Sequence, residues 1–155
     1  MLPENVHTIV VHCSATGPDR DIGRDEIDLW HRQRGWWGIG YHHVVRRDGT
    51  VEPGRPLHVQ GAHVRGNNYD TWGICMVGGV GEDGQPEDNF TDAQYQSLRL
   101  MIGGYRGYAG KKIKCLGHRD FSPDLNGDGQ ITKEEWTKAC PCFEIADKLK
   151  EWGIK

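Results

Sequence analysis

VHTIVVHCSA, residues 6–15, is the stretch on which the architecture turns. Its β-branched run favours an extended chain, and with so few polar groups along it the segment reads as a buried strand. It ends on His12 and Cys13. Neighbouring strand residues face opposite ways, so the two cannot both point at one site while the strand keeps its geometry. Working outward, RDEIDLWHRQRG (24–35) sets Ile27, Trp30 and Arg34 at helical spacing and stops at Gly35, a natural C-terminal residue. YHHVVRRDGTVEPG (41–54) is a strand, an Asp48-Gly49 turn and a second strand. WGICMVGG (72–79) and KKIKCLGH (111–118) are further strands. NFTDAQYQSLRLMIGGYRGYAG (89–110) carries Thr91 and, three residues on, Gln94: a capping box that opens a helix packing through Tyr95, Leu98 and Ile102. CFEIADKLKEWG (142–153) supplies a closing helix with Phe143, Ile145, Ala146, Leu149 and Trp152 available for packing. Strands alternating with helices imply an α/β fold, one domain over residues 1–155 built on a single sheet.

The composition agrees. At 155 residues the chain can bury a substantial core, and 36% hydrophobic with 26% charged residues is ordinary for a folded soluble protein. A net charge of -3 gives no basic field, which disfavours nucleic acid as a partner. The first residues have no signal-peptide pattern and no segment has the length of a membrane span, so a cytosolic protein without membrane insertion is expected. Five cysteines are an odd number, and in a reducing compartment they point to free thiols or metal ligation rather than a disulfide framework.

Two metal-site patterns overlap near the C-terminus. In DLNGDGQITKEE (124–135), Asp124, Asn126, Asp128 and Glu135 fall at positions one, three, five and twelve of an EF-hand-type calcium loop. Gln130 offers its carbonyl at seven, and Gly129 sits at six, where the loop turns sharply. Ser122-Pro123 argues against an entering helix, and only KEEWTKA (133–139) looks helical on the exit side. The loop therefore reads as a structural Ca2+ staple and not as a sensor. Around it stand GHRD (117–120) and TKACPCF (137–143), which bring His118, Cys140 and Cys142.

VHCSAT (11–16), GYHHVVRRDGTVEPGR (40–55), GAHVRGNN (61–68), GICMVGG (73–79) and GHRD…TKACPCF occur in this order in the zinc-dependent N-acetylmuramoyl-L-alanine amidases. The chain closely resembles the amidase-type lysozymes, or endolysins, of short-tailed phages, which are related to the peptidoglycan-recognition proteins. The resemblance runs through nearly the whole chain, and the insertion at 124–135 departs from it. It implies a central mixed β-sheet flanked by helices. It also implies a catalytic Zn2+ held by His12, His118 and Cys140, with Tyr41 and Lys138 as further catalytic residues and His63 lining the substrate cleft. The donor chemistry is consistent: two imidazoles and a thiolate suit zinc, and three protein ligands leave the fourth position open, as catalysis requires. Cys142 is placed at the site margin or in the core for the same reason, and Cys13, Cys75 and Cys115 are read as small buried hydrophobes. His7, His31 and His58 are read as structural.

The implied reaction is hydrolysis of the amide between N-acetylmuramic acid and L-alanine in bacterial peptidoglycan by a monomeric phage endolysin. Such a protein waits in the host cytoplasm and reaches the cell wall when the membrane is breached. The alternatives are a non-catalytic peptidoglycan-binding protein of the same fold, disfavoured because all three zinc ligands are present, and a regulator that binds the phage RNA polymerase, as some similar phage lysozymes do. No feature of the sequence marks the latter interface.

Overall fold

The computed structural model describes residues 1–155. Its strands are β1 (Thr8–Cys13), β2 (His43–Val45), β3 (Val51–Pro53), β4 (Thr71–Met76) and β5 (Lys114–Gly117), and its helices α1 (Arg24–Gln33), α2 (Asp92–Ala109) and α3 (Ile145–Glu151). The five strands form one mixed sheet in the order β3-β2-β4-β1-β5. β1 runs parallel to both β4 and β5, and β2 is parallel to β4, whereas β2 and β3 pair as an antiparallel hairpin. Every residue of β1 and β4 is buried, as expected for parallel strands covered on both faces.

Two apolar clusters lie on the two sides of the sheet. The larger packs Ile9 and Val11 of β1 and Trp72, Ile74 and Met76 of β4 against Tyr95, Leu98, Ile102 and Tyr105 of α2 and Ile145 of α3. The smaller gathers Ile22, Ile27, Ile39, Val44, Cys75 and Val77 beneath α1. The alternation of β4 between the two clusters is the period-2 pattern of a strand with two buried faces.

The hairpin, the strands and the starts of α1 and α2 fall where the sequence places them, with three differences elsewhere. In α1 the residues buried toward the sheet are Ile27 and His31, while Arg34 is exposed and forms the C-cap, followed by Gly35 at φ 89°. In α3 Ala146 is exposed, because the helix begins only at Ile145 and turns a short face to the core. The expected exit helix after the 124–135 loop is a single 3-10 turn, Lys133–Glu135.

Within that loop Gly127 and Gly129 adopt φ 72° and 82°. The oxygens expected to face calcium accept main-chain N–H bonds here. Asp124 Oδ1 and Oδ2 accept from Gly127 and Gly129, Asn126 Oδ1 from Asp128, and Asp128 Oδ1 from Gln130. The buried Glu135 carboxylate accepts from Leu125, Asn126 and Thr132, and these bonds hold its carboxyl below the usual range. The loop shape is thus set by its own side chains, and its carboxylates are not gathered into a metal-ligating group.

One polar side chain ties the start of α2 to the ends of two strands. Gln94, fully buried, accepts from Thr91 N–H at 3.0 Å and from Arg47 Nη1 at 3.1 Å, and its Nε2 donates to Val45 O at 3.1 Å and Val77 O at 2.9 Å. The capping residue legible in the sequence therefore also satisfies carbonyls at the ends of β2 and β4. Gln94→Leu should lower the unfolding free energy by about 2–4 kcal/mol, since it strands several buried polar groups. Thr91→Ala should cost about 1 kcal/mol, the usual loss for a cap. Urea denaturation of both variants checks this; equal losses would show that Gln94 acts only as a cap.

Candidate active site

β1 delivers His12 to the carboxyl end of the parallel strands, the end at which α/β sheets usually place their sites. β5 ends at Gly117, and the 3-10 turn His118–Phe121 follows directly, so His118 emerges beside His12. The two Nδ1 atoms are 3.1 Å apart, and Cys140 Sγ lies 3.9 Å from His12 Nδ1. His12, His118 and Cys140 are the one group of His, Cys, Asp and Glu side chains whose ligand atoms all lie within 4.8 Å of one another and could hold a metal ion.

His12 is aimed from behind. Thr71 Oγ1 donates to Asn67 O at 2.8 Å, which leaves its oxygen to accept from His63 Nε2–H at 3.3 Å. His63 Nδ1 is then an acceptor, 2.9 Å from His12 Nε2, so His12 carries its proton on Nε2 and turns the bare Nδ1 lone pair toward His118 and Cys140. The His63 ring fits this position because two glycines flank it. A Cβ on Gly61 or Gly73 would come within 2.5 Å and 2.7 Å of the ring. Both ring nitrogens of His63 are thus engaged inside the protein, although one edge of the ring reaches the cleft wall. The chain of Thr71 and Asn67 behind it gave no sign in the sequence.

Burial keeps these imidazoles neutral. It lowers His12 well below 6.5, His118 to about 4, with the Lys138 ammonium adding to the effect, and His63 to about 3. Neutral imidazoles are what metal ligation requires. Tyr41 stands with its ring centroid 4.9 Å from that of His12, and burial raises its phenol well above 10, so at neutral pH it keeps its proton and can serve as a hydrogen-bond donor. Lys138 is exposed at the cleft two residues before Cys140.

The segment that carries Lys138 and Cys140 is held by Arg119, quoted in GHRD but assigned nothing from sequence. Arg119 N–H donates to Cys140 O at 2.8 Å. Its guanidinium lies 3.9 Å over the Trp136 ring, and its Nη2 bonds Glu144 Oε2 at 3.1 Å. One side chain, itself buried, thus grips the segment on either side of Lys138 and Cys140. The cleft in front of these groups has a volume of about 810 Å³, and Arg34, Arg65 and Lys138 line it without any Asp or Glu.

The match to known proteins follows this geometry. The family model described as N-acetylmuramoyl-L-alanine amidase fits residues 2–142. The chain belongs to the N-acetylmuramoyl-L-alanine amidase family. An endolysin of Klebsiella phage KP32 is 42% identical over 148 residues, covering 95% of this chain and 85% of that one. The peptidoglycan-recognition protein LB of Drosophila melanogaster is 32% identical over 122 residues, 79% of this chain and 51% of its own. Among solved structures, the N-acetylmuramoyl-L-alanine amidase LysC from Clostridium intestinale superposes with a TM-score of 0.72 at 27% identity, over 97% of this amidase and 87% of LysC.

Two histidines of the amidase read as structural or unassigned behave as buried acceptors. His31 Nδ1 accepts from Gly40 N–H at 2.9 Å and His42 Nδ1 from Gly73 N–H at 3.0 Å; burial lowers both to about 4. Protonating either would set N–H against N–H. Because these folded-state values lie below 6.5, the unfolded chain binds protons between about pH 6.5 and about pH 4 that the folded chain refuses, so stability falls as pH drops through that window. His118 and His63 act in the same direction. The urea midpoint of the metal-free protein should be flat above about pH 7 and fall steadily toward pH 4.5. A profile flat down to pH 5 would contradict the neutral assignments.

Proposed function

We infer that the protein is a zinc-dependent phage endolysin that hydrolyses the amide between N-acetylmuramic acid and L-alanine in bacterial peptidoglycan. The observation that carries this is the His12, His118 and Cys140 trio facing an open cleft, in a chain of the amidase family. The donors fit zinc. Tetrahedral bonds of ordinary length place ligand nitrogens roughly 3.3 Å apart and nitrogen and sulphur roughly 3.6 Å apart, against the observed 3.1 Å and 3.9 Å. No fourth Cys, His or carboxylate joins the group, so a substrate position is left open.

When bound, zinc supplies a Lewis acid and makes a hydroxide nucleophile available near neutral pH. The rest falls to the chain. His63, backed by Thr71, holds the tautomer of His12 and so supports ligation, in addition to the cleft-lining role the resemblance implies. Lys138 brings positive charge to the carbonyl oxygen as it becomes an oxyanion. Tyr41 keeps its proton and orients the attacked group or the nucleophile by hydrogen bonding. The cationic lining by Arg34 and Arg65 suits the carboxylates of a peptide stem.

Mass spectrometry of digested peptidoglycan tests the bond: a free lactyl carboxyl paired with a free alanine amine is expected, and cleavage between sugars would overturn the reading. His12→Ala, His118→Ala or Cys140→Ala should abolish both zinc retention and activity. Lys138→Ala and Tyr41→Phe should lower kcat by about 100-fold or more with zinc content intact. Full activity in a verified zinc-free preparation would sink the mechanism.

We further propose that Asp124, Asn126, Asp128, Gln130 and Glu135 bind Ca2+ as a structural staple. The support is the register of the donors and the left-handed turn at Gly129. Calcium would then stabilise a loop whose ends lead from His118 to Lys138 and Cys140. Calorimetry with zinc saturating should show a higher Tm on adding calcium, reduced in Asp124→Ala and Glu135→Ala; an unchanged wild-type transition would rule the staple out.

A further inference from the structure

The mechanism leaves two thiols beside the metal ligands without a role. Cys13 follows His12, and Cys142 lies two residues after Cys140. Their Sγ atoms are 3.8 Å apart, although 129 residues separate them in the chain. Cys13 is buried, as the sequence reading expects, but what it meets there is a second thiol. Cys75 and Cys115 sit inside the two apolar clusters, whereas Cys13 and Cys142 belong to neither. The neighbourhood is shaped around the pair. Cys142 takes the left-handed conformation, φ 71°, which non-glycine residues adopt infrequently, and its thiol meets that of Cys13. Gly79, itself buried, packs against the pair: a Cβ there would come 2.7 Å from Cys13 Sγ and 3.5 Å from Cys142 Sγ. Cys13 N–H also donates to Cys140 Sγ at 3.2 Å, so the three cysteines form one cluster in which only Cys140 joins the metal-ligating trio.

We propose that Cys13 and Cys142 are a redox-active dithiol that closes to a disulfide and thereby fastens the Cys140 segment to β1, slowing metal loss. The two thiols are in van der Waals contact, and the sulfurs must approach from 3.8 Å to about 2.05 Å. The oxidant is a low-molecular-weight disulfide. One protein thiolate attacks it, releasing one thiolate and leaving a mixed disulfide. The second protein thiol then attacks that bond and releases the other thiol. Two electrons and two protons pass in total from the pair to the oxidant, which is reduced to two thiols. Cys142, the more open of the two, is the first to react. The cross-link ties together two segments that carry metal ligands, His12 on β1 and Cys140 on an irregular stretch otherwise held by Arg119. Resting on the endolysin reading, the pair would be reduced in the cytoplasm and oxidised once the protein reached the wall.

The test uses the zinc-loaded protein equilibrated in glutathione buffers of graded redox poise, and its readouts do not depend on amidase activity. Intact mass should fall by about 2 Da as the buffer becomes oxidising. Peptide mapping should locate the bond between Cys13 and Cys142, and transfer of zinc to a chromogenic chelator should slow by about threefold or more. Cys142→Ser should keep the reduced protein's basal activity and show neither change. Absence of the mass loss, a bond from Cys13 to Cys140, or zinc transfer as fast as or faster than in the reduced protein would each overturn the proposal.

Discussion

The hydrogen bond from His12 Nε2–H to His63 Nδ1, 2.9 Å long, is the constraint on which the site depends. An imidazole has two nitrogens, and a buried neutral one must commit one as donor and the other as acceptor. Thr71 and Asn67 settle that choice for His63, and His63 settles it for His12. The lone pair left over is the one directed at His118 and Cys140. This arrangement is built into the sheet, since His12 and Thr71 lie on the paired strands β1 and β4, and Gly73 leaves the space that the His63 ring fills. A rigid parallel sheet is a better mount for such a chain than loops would be, because strand ladders fix each residue's direction.

The other half of the site is mounted differently. Between the turn at His118 and the start of α3 the chain has no strand and no helix longer than one turn. What positions Lys138 and Cys140 there is a small set of polar contacts: Arg119 on Trp136 and Glu144, its amide on Cys140 O, and Glu135 on the amides that open the 124–135 loop. These are single contacts on an irregular stretch, whereas the β1 half is held on both sides by the ladders to β4 and β5. The amidase therefore combines a histidine fixed in the sheet with a cysteine on an irregular segment. That contrast gives a second covalent tie near Cys140 a physical use.

Much of the fold was legible because it rests on short-range rules. The β-branched run of β1, the Asp48-Gly49 turn, and the Thr91 and Gln94 capping box all took their expected forms. The misses share a cause. Arg34 and Ala146 fitted helical spacing, but which residues of a short helix are buried depends on how it is rotated against the sheet, and His31 won that place through its bond to Gly40. The exit helix after the loop stops after one turn, where Trp136 takes an extended conformation, ψ 123°, with its ring against the Arg119 guanidinium.

The sequence alone determined the chemistry available at the site. His12, His118 and Cys140 stand in motifs whose donor types suit one kind of metal, and their order along the chain matches the family. What it could not determine were relations among residues distant in the chain. That His63 turns inward to His12, that Arg119 grips both flanks of Lys138 and Cys140, and that Cys13 meets Cys142 all arise from contacts across the sheet and its flanking loops. Periodicity and capping record where a residue points relative to its own helix or strand. Which residue it meets there is decided by how the elements pack, and only the tertiary structure holds that information.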